Sequence, residues 1–298
     1  MRRWPSAGVA VVVVRGSSPA QVFRHGVADI ASGRRVSEDT VFRIGSLTKT
    51  ITAVAVMQLC EQGVVDLDAP ANDCLRAFRL VPASAEFGPA TVRHLLTHTA
   101  GVGFWRRRSD LLFHPGAGSG VTARSVLPLP EYYRGGLTVD VEPGTRWAYS
   151  NHGFATLGQI VQDVSGEPID RYLRDQIFGP LGMNRTDLVL SAHLRADLAT
   201  GYTLRRHGLH PVTPREVPTP AGGGLYSTAA DMARYVTALL HGGANDHGRV
   251  LGADSVRTMF RPHFQPDPRV AGMALGFEPH VERGRVLICK GGTISGFL

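Results

Sequence analysis

The sequence predicts an α+β fold, an antiparallel sheet flanked by helices and joined to an all-helical lobe. Three observations lead there. Short apolar runs that read as strands stand near both ends of the chain, a helix that is apolar on nearly every face follows the first strands, and the middle is dominated by helical periodicity. One domain is expected over residues 1–298, with a sheet-bearing lobe of about 1–60 and 221–298 and a helical lobe of about 61–220. A binding cleft is expected between the lobes.

Residues 7–14, bounded by Pro5 and Gly16, suit a buried strand. Met1-Arg2-Arg3-Trp4 before this run has the look of a signal peptide, but Arg15 follows directly and no A-x-A site is in place, so the strand reading is preferred and a cytoplasmic location is expected. A periplasmic or extracellular location is the alternative. Residues 21–28 read as a second strand, hairpin-paired with the first across Ser17-Ser18-Pro19. From Leu47 to Cys60 the chain reads as a buried helix capped by Gly63.

Residues 91–101 read as a short capped helix ending in a Gly turn. His94 and His98 are four apart, a metal-compatible spacing, but Leu95 stands where the metalloprotease motif needs Glu; no metal is expected. Residues 104–144, rich in Gly, Pro and Arg, read as a long surface loop region. Helices are expected over 154–164 and 169–178, and a Pro-rich connector over 211–220. Ser227 or Thr228 caps a further helix through Leu240, residues 254–260 form another, and 285–289 form a last strand. No stretch approaches the roughly 20 apolar residues of a membrane span.

An apolar fraction of 43% and a charged fraction of 19% describe an ordinary globular protein. The net charge of +7 invites a nucleic-acid reading, but the arginines are scattered and Arg106-Arg107-Arg108 has no interleaved aromatic platform, so no nucleic-acid partner is expected. Of 32 Lys and Arg residues only two, Lys49 and Lys290, are lysines. Arg does not surrender its proton in a protein and buried Lys does, so the two lysines mark places where a titratable amine is needed. Cys60, Cys74 and Cys289 fit neither a zinc pattern nor a disulfide framework, which points to a reducing compartment or to no dependence on disulfides.

Ser46 and Lys49 lie one turn apart at the mouth of the buried helix, so hydroxyl and amine come within reach of each other. That pairing is a candidate activated nucleophile, placed where a helix start favours negative charge. Two later stretches stand out, Trp147-Ala148-Tyr149-Ser150-Asn151 and Lys290-Gly291-Gly292-Thr293.

In this order the three stretches resemble S-x-x-K, Y-x-N and K-x-G of the serine β-lactamase and penicillin-binding protein superfamily, in the branch of the class C β-lactamases, DD-peptidases and family VIII carboxylesterases. Phe42-Arg43-Ile44-Gly45, the run from His94 to Gly101, Pro143-Gly144, the run from Phe178 to Met183 and Gly223-Gly224-Leu225-Tyr226-Ser227 look like the same family, so the resemblance covers nearly the whole chain. It implies that Ser46 is acylated with Lys49 or Tyr149 as base, a choice the sequence leaves open. It further implies that Asn151 orients Lys49 and substrate, that Lys290 grips a substrate carboxylate, and that Gly291 and Gly292 let substrate lie along the strand. Thr293 and Ser46 supply oxyanion N–H groups. No cofactor is implied.

Two departures modify this. The third motif is Lys-Gly-Gly rather than Lys-Thr-Gly, which weakens β-lactam specificity. The family's first helix and its last strands and helix are expected to be missing, which would leave an unpaired sheet edge. The expectation is a serine hydrolase acting on a small ester, peptide or β-lactam through an acyl-enzyme, with an esterase or peptidase ahead of a class C-type β-lactamase. A non-catalytic binding or regulatory protein of the same fold is the alternative from another class.

Overall fold

The computed structural model describes residues 5–16, 18, 20–103, 127–214 and 216–298. Strand β1 (Gly8–Val13) pairs antiparallel with β2 (Gln21–Gly26), with Gly8 opposite Gly26 and Val13 opposite Gln21. β1 is not the buried strand that its valines suggest. Val9 and Val11 are 38% and 46% exposed, because side chains alternate between faces and β2 is the one ladder partner among the described residues. Strand β3 (Phe42–Arg43) leads through a 3₁₀ turn, Gly45–Leu47, into helix α1 (Thr48–Glu61).

Every residue of α1 from Thr48 to Leu59 is buried, as an all-round apolar helix requires. Several of its polar side-chain groups bond locally or across the core, whereas Gln58 Oε1 is buried without a partner. Thr50 Oγ1 donates to Leu47 O at 2.8 Å, Thr52 Oγ1 to Ala221 O at 2.8 Å, and Gln58 Nε2 to Gln176 O at 2.9 Å and Val250 O at 3.0 Å. Gly63, at φ +71°, turns the chain out of the helix as expected.

Short elements follow: α2 (Ala71–Cys74), β4 (Leu80–Pro82) and α3 (Val92–Leu96). Thr91 and His94 cap α3 reciprocally, each side chain accepting from the other's backbone N–H. The stretch read as surface loop holds α4 (Leu129–Tyr132) and β5 (Leu137–Val139), which pairs in parallel with β4, while residues 104–126 lie outside the described residues. A three-residue strand leaves little periodicity to detect, yet Leu137 and Val139 are buried.

Helix α5 (Asn151–Ser165) begins three residues before the expected 154, because Ser150 Oγ caps it by accepting from Gly153 N at 3.1 Å. The shift puts Asn151 on the first turn of a rigid helix. Helix α6 (Ile169–Leu173) widens into a π turn, Arg174–Phe178. The sequence reading did not foresee α7 (Ala192–Asp197) or the hairpin of β6 (Tyr202–Arg205) and β7 (Gly208–Pro211).

The connector ends in a single turn, α8 (Pro220–Gly223), and β8 (Tyr226–Ser227) pairs with β3. Thr228 Oγ1 accepts from Asp231 N at 3.2 Å and so caps α9 (Ala229–Leu240), which packs on β1. After α10 (Ala253–Phe260), β9 (Glu278–Glu282) and β10 (Arg285–Cys289) form the last antiparallel pair, β10 with the expected bounds. Among the described residues the strands join only as pairs, and the α+β class stands.

One main core runs from Ile51 to Phe277 and includes the buried faces of α1, α3 and α5. Burying each large apolar side chain contributes about 1.5–3 kcal/mol, so α1 is held from all sides and its first turn has little freedom. Among the described residues no helix is long and apolar enough to cross a membrane.

Candidate active site

The start of α1, the turn before α5, the turn α8 and the end of β10 converge on Ser46. Ser46 sits in the 3₁₀ turn, half-buried, and Gly45 before it has φ +52°. A Cβ at Gly45 would lie 2.9 Å from the carbonyl carbon and oxygen of Thr293, so glycine here lets the third motif's backbone pack against the serine turn.

Lys49 is fully buried one turn on. Its Nζ is 3.2 Å from Ser46 Oγ, donates to Asn151 Oδ1 at 2.7 Å and donates to the carbonyl of Gly222 in α8. Burial, reinforced by the positive charge of Lys290 and opposed by Glu278, holds the amine well below its ordinary value. A neutral amine has two hydrogens and one lone pair. Asn151 and Gly222 accept two of the hydrogens, and the remaining position of the amine faces Ser46 Oγ.

Tyr149 approaches Ser46 from the other side, its hydroxyl 2.6 Å from Ser46 Oγ. Lys49 Nζ and Lys290 Nζ stand 4.8 and 5.2 Å from the Tyr149 ring centroid. Even so, burial pushes the phenol up, with the Ser46 bond opposing the rise and Glu278 adding to it. The two candidate bases are therefore shifted in opposite directions. Burial favours the neutral form of each, which for Lys49 is the base and for Tyr149 is the acid.

Lys290 follows β10 directly, and its Nζ donates to Glu278 Oε1 on the neighbouring strand at 2.6 Å. Its side chain is 4% exposed. Gly292 tolerates no side chain, since a Cβ would meet Ile44 O at 2.3 Å, whereas a Cβ at Gly291 meets nothing within 4 Å. All eight residues singled out in the sequence thus belong to one neighbourhood or to the backbone that frames it.

Three contributors escaped the sequence reading. Gly222 acts through a backbone carbonyl, which no side-chain pattern announces. Glu278 is recognised only by the register that places Cys289, the neighbour of Lys290, opposite it. His98, read in sequence as a possible metal ligand and as part of the family-like run from His94 to Gly101, accepts from Ser150 N with its Nδ1 at 3.1 Å. Among the described residues no group of three or more His, Cys, Asp or Glu is placed to hold a metal ion.

Comparison with known proteins adds context to this geometry. A family model described as Beta-lactamase matches residues 3–297. Penicillin-binding protein 4 of Amycolatopsis lactamdurans is 33% identical over 262 residues, covering 86% of this chain and 65% of its own length. Esterase EstB of Burkholderia gladioli is 30% identical over 276 residues, covering 87% of this chain and 68% of its own. The structure of the octameric penicillin-binding protein homologue from Pyrococcus abyssi superposes with a TM-score of 0.75 at 25% identity, over 96% of this chain and 64% of that one. The chain therefore spans about two thirds of the length of these relatives.

Proposed function

The chain belongs to the beta-lactamase family, and on that premise we propose that it is a serine hydrolase that forms an acyl-enzyme on Ser46 from an ester or amide substrate. The observation that carries the proposal is the hydrogen-bonding of Lys49, with two acceptors for its hydrogens and its remaining position directed at Ser46 Oγ. An unassisted hydroxyl is a poor nucleophile, and a buried neutral amine at this distance supplies the base it lacks.

In the acylation step Ser46 Oγ bonds to the substrate carbonyl carbon as its proton passes to Lys49 Nζ. The carbonyl oxygen becomes an oxyanion, for which the backbone N–H groups of Ser46 and Thr293 are the proposed donors. The tetrahedral species collapses with cleavage of the bond to the leaving alcohol or amine, which takes a proton from the Tyr149 hydroxyl, and Tyr149 is reprotonated from Lys49. Water then attacks the acyl-serine, releases the acid and restores the Ser46 hydroxyl.

Two features support an ester or peptide over a dedicated β-lactam. Lys290 is already paired with Glu278, and Gly291 offers no hydroxyl to a substrate carboxylate. The proposal is tested by incubating the protein with a fluorescent penicillin and with an alkyl phosphonate p-nitrophenyl ester, then reading intact mass. A single adduct from either probe that is lost in Ser46→Ala supports it. A folded protein that takes up neither probe overturns it and favours a non-catalytic binding role.

A further inference from the structure

Tyr149 lies in the short segment between Trp147 and Asn151, ahead of the first turn of α5. A phenol on such a segment has to be held if its hydroxyl is to stay 2.6 Å from Ser46 Oγ. The residues on either side of it both donate to a single partner. Ala148 N donates to His98 O at 2.8 Å, and Ser150 N donates to His98 Nδ1 at 3.1 Å. The His98 ring lies against the ring of Tyr149 itself, centroids 4.5 Å apart, and is backed by Phe154 at 5.1 Å.

His98 adopts this position at some cost. It is one of two described non-glycine residues with positive φ, at +60°, and it is 4% exposed. An Nδ1 that accepts from a backbone N–H requires the neutral ring with its proton on Nε2. That nitrogen is buried without a hydrogen-bond partner. Burial, with the charges of Lys290 and Lys49, holds the imidazole well below its ordinary value and so keeps Nδ1 an acceptor. A left-handed backbone and an orphaned buried N–H are both unfavourable, and the double hold on residues 148 and 150 is what they accompany.

We propose that His98 is a positioning residue for the reaction, clamping the backbone on both sides of Tyr149 and packing its tilted ring against that of Tyr149 so that the phenol stays on Ser46. The kinetic half of this proposal rests on the serine-hydrolase reading; the clamp itself does not. The clamp acts through Tyr149 and touches no reacting atom. It should affect turnover rather than substrate binding.

The positive φ supplies a clean pair of variants, since Gly and Asn both tolerate it. His98→Gly removes the ring and the Nδ1 acceptor, whereas His98→Asn retains a side-chain acceptor for Ser150 N. Amide exchange followed by NMR is expected to show Ser150 N–H at least about tenfold faster in His98→Gly, near wild type in His98→Asn, and residues 54–56 of α1 unchanged in both. With p-nitrophenyl butyrate, kcat is expected to fall about 10²-fold in His98→Gly with KM within about twofold, and to recover at least about threefold in His98→Asn. Unchanged Ser150 exchange in His98→Gly, a His98→Gly kcat above about a third of wild type, or no recovery in His98→Asn overturns the clamp. If His98→Gly does not fold, loss of Ser150 protection in His98→Asn overturns it equally, and retention supports it. Wild type and Ser46→Ala are assayed alongside; equal rates for these two overturn the hydrolase reading, and the exchange data then decide the clamp alone.

Discussion

The ammonium of Lys290 donates to the carboxylate of Glu278 across 2.6 Å, on the strand pair that ends beside Ser46. The pair does more than neutralise a charge. Lys290 lowers the Lys49 amine and Glu278 raises it, so the two members pull the proposed base in opposite directions and burial decides the result. Glu278 also adds to the rise of the Tyr149 phenol. The Lys290 side chain is buried and that of Glu278 is partly open, so the pair places two compensating charges close to Ser46.

The sign of that effect is testable. Acylation needs neutral Lys49, so its rate is expected to rise with pH through the lowered amine value and to lose that limb below it. Glu278→Gln removes the charge that favours the ammonium and moves the midpoint to lower pH. Lys290→Gln removes the charge that opposes it and moves the midpoint to higher pH. Stopped-flow acylation profiles check both, and shifts in the same direction for the two variants contradict the assignment of Lys49 as the titrating base.

Lys49→Arg puts a guanidinium with no accessible neutral form where the proposed base is a buried amine. Turnover of p-nitrophenyl esters is expected to fall by more than about 10²-fold while the protein remains folded by near-UV circular dichroism. Retention of more than about a tenth of the activity, less than about 1.4 kcal/mol of barrier, speaks against Lys49 as the base.

The two glycines after Lys290 are expected to respond oppositely. Gly291 has space beside it and φ outside the left-handed region, so Gly291→Thr is expected to fold normally. Its hydroxyl offers a substrate carboxylate one further hydrogen bond, worth about 1.5 kcal/mol, so penicillin labelling of Ser46 should rise about tenfold. At Gly292 a Cβ collides with Ile44 O, so Gly292→Ala is expected to displace the third motif and lose at least about 10²-fold in ester turnover. Comparable labelling rates for wild type and Gly291→Thr, or an active Gly292→Ala, count against this reading of the strand end.

Local chemistry made much of this protein legible in sequence. A helix apolar on nearly every face, Ser46 and Lys49 one turn apart at its start, the capped starts of α3 and α9, the strand 285–289 and the scarcity of lysine are all near-neighbour or compositional facts, and the structure keeps them. They carried the fold class and the choice of candidate site residues. Tertiary structure decided what depends on partners distant in sequence. The solvent-open face of β1 follows from which strands pair with it, and the start of α5 at Asn151 follows from the Ser150 cap. The carbonyl of Gly222 on Lys49, the carboxylate of Glu278 on Lys290 and the ring of His98 behind Tyr149 come from positions 173, 12 and 51–52 residues away. The opposite pulls on the Lys49 amine and the Tyr149 phenol belong to this second group. A proton affinity is set by burial and by the charges in reach, and neither exists until the chain has folded around them.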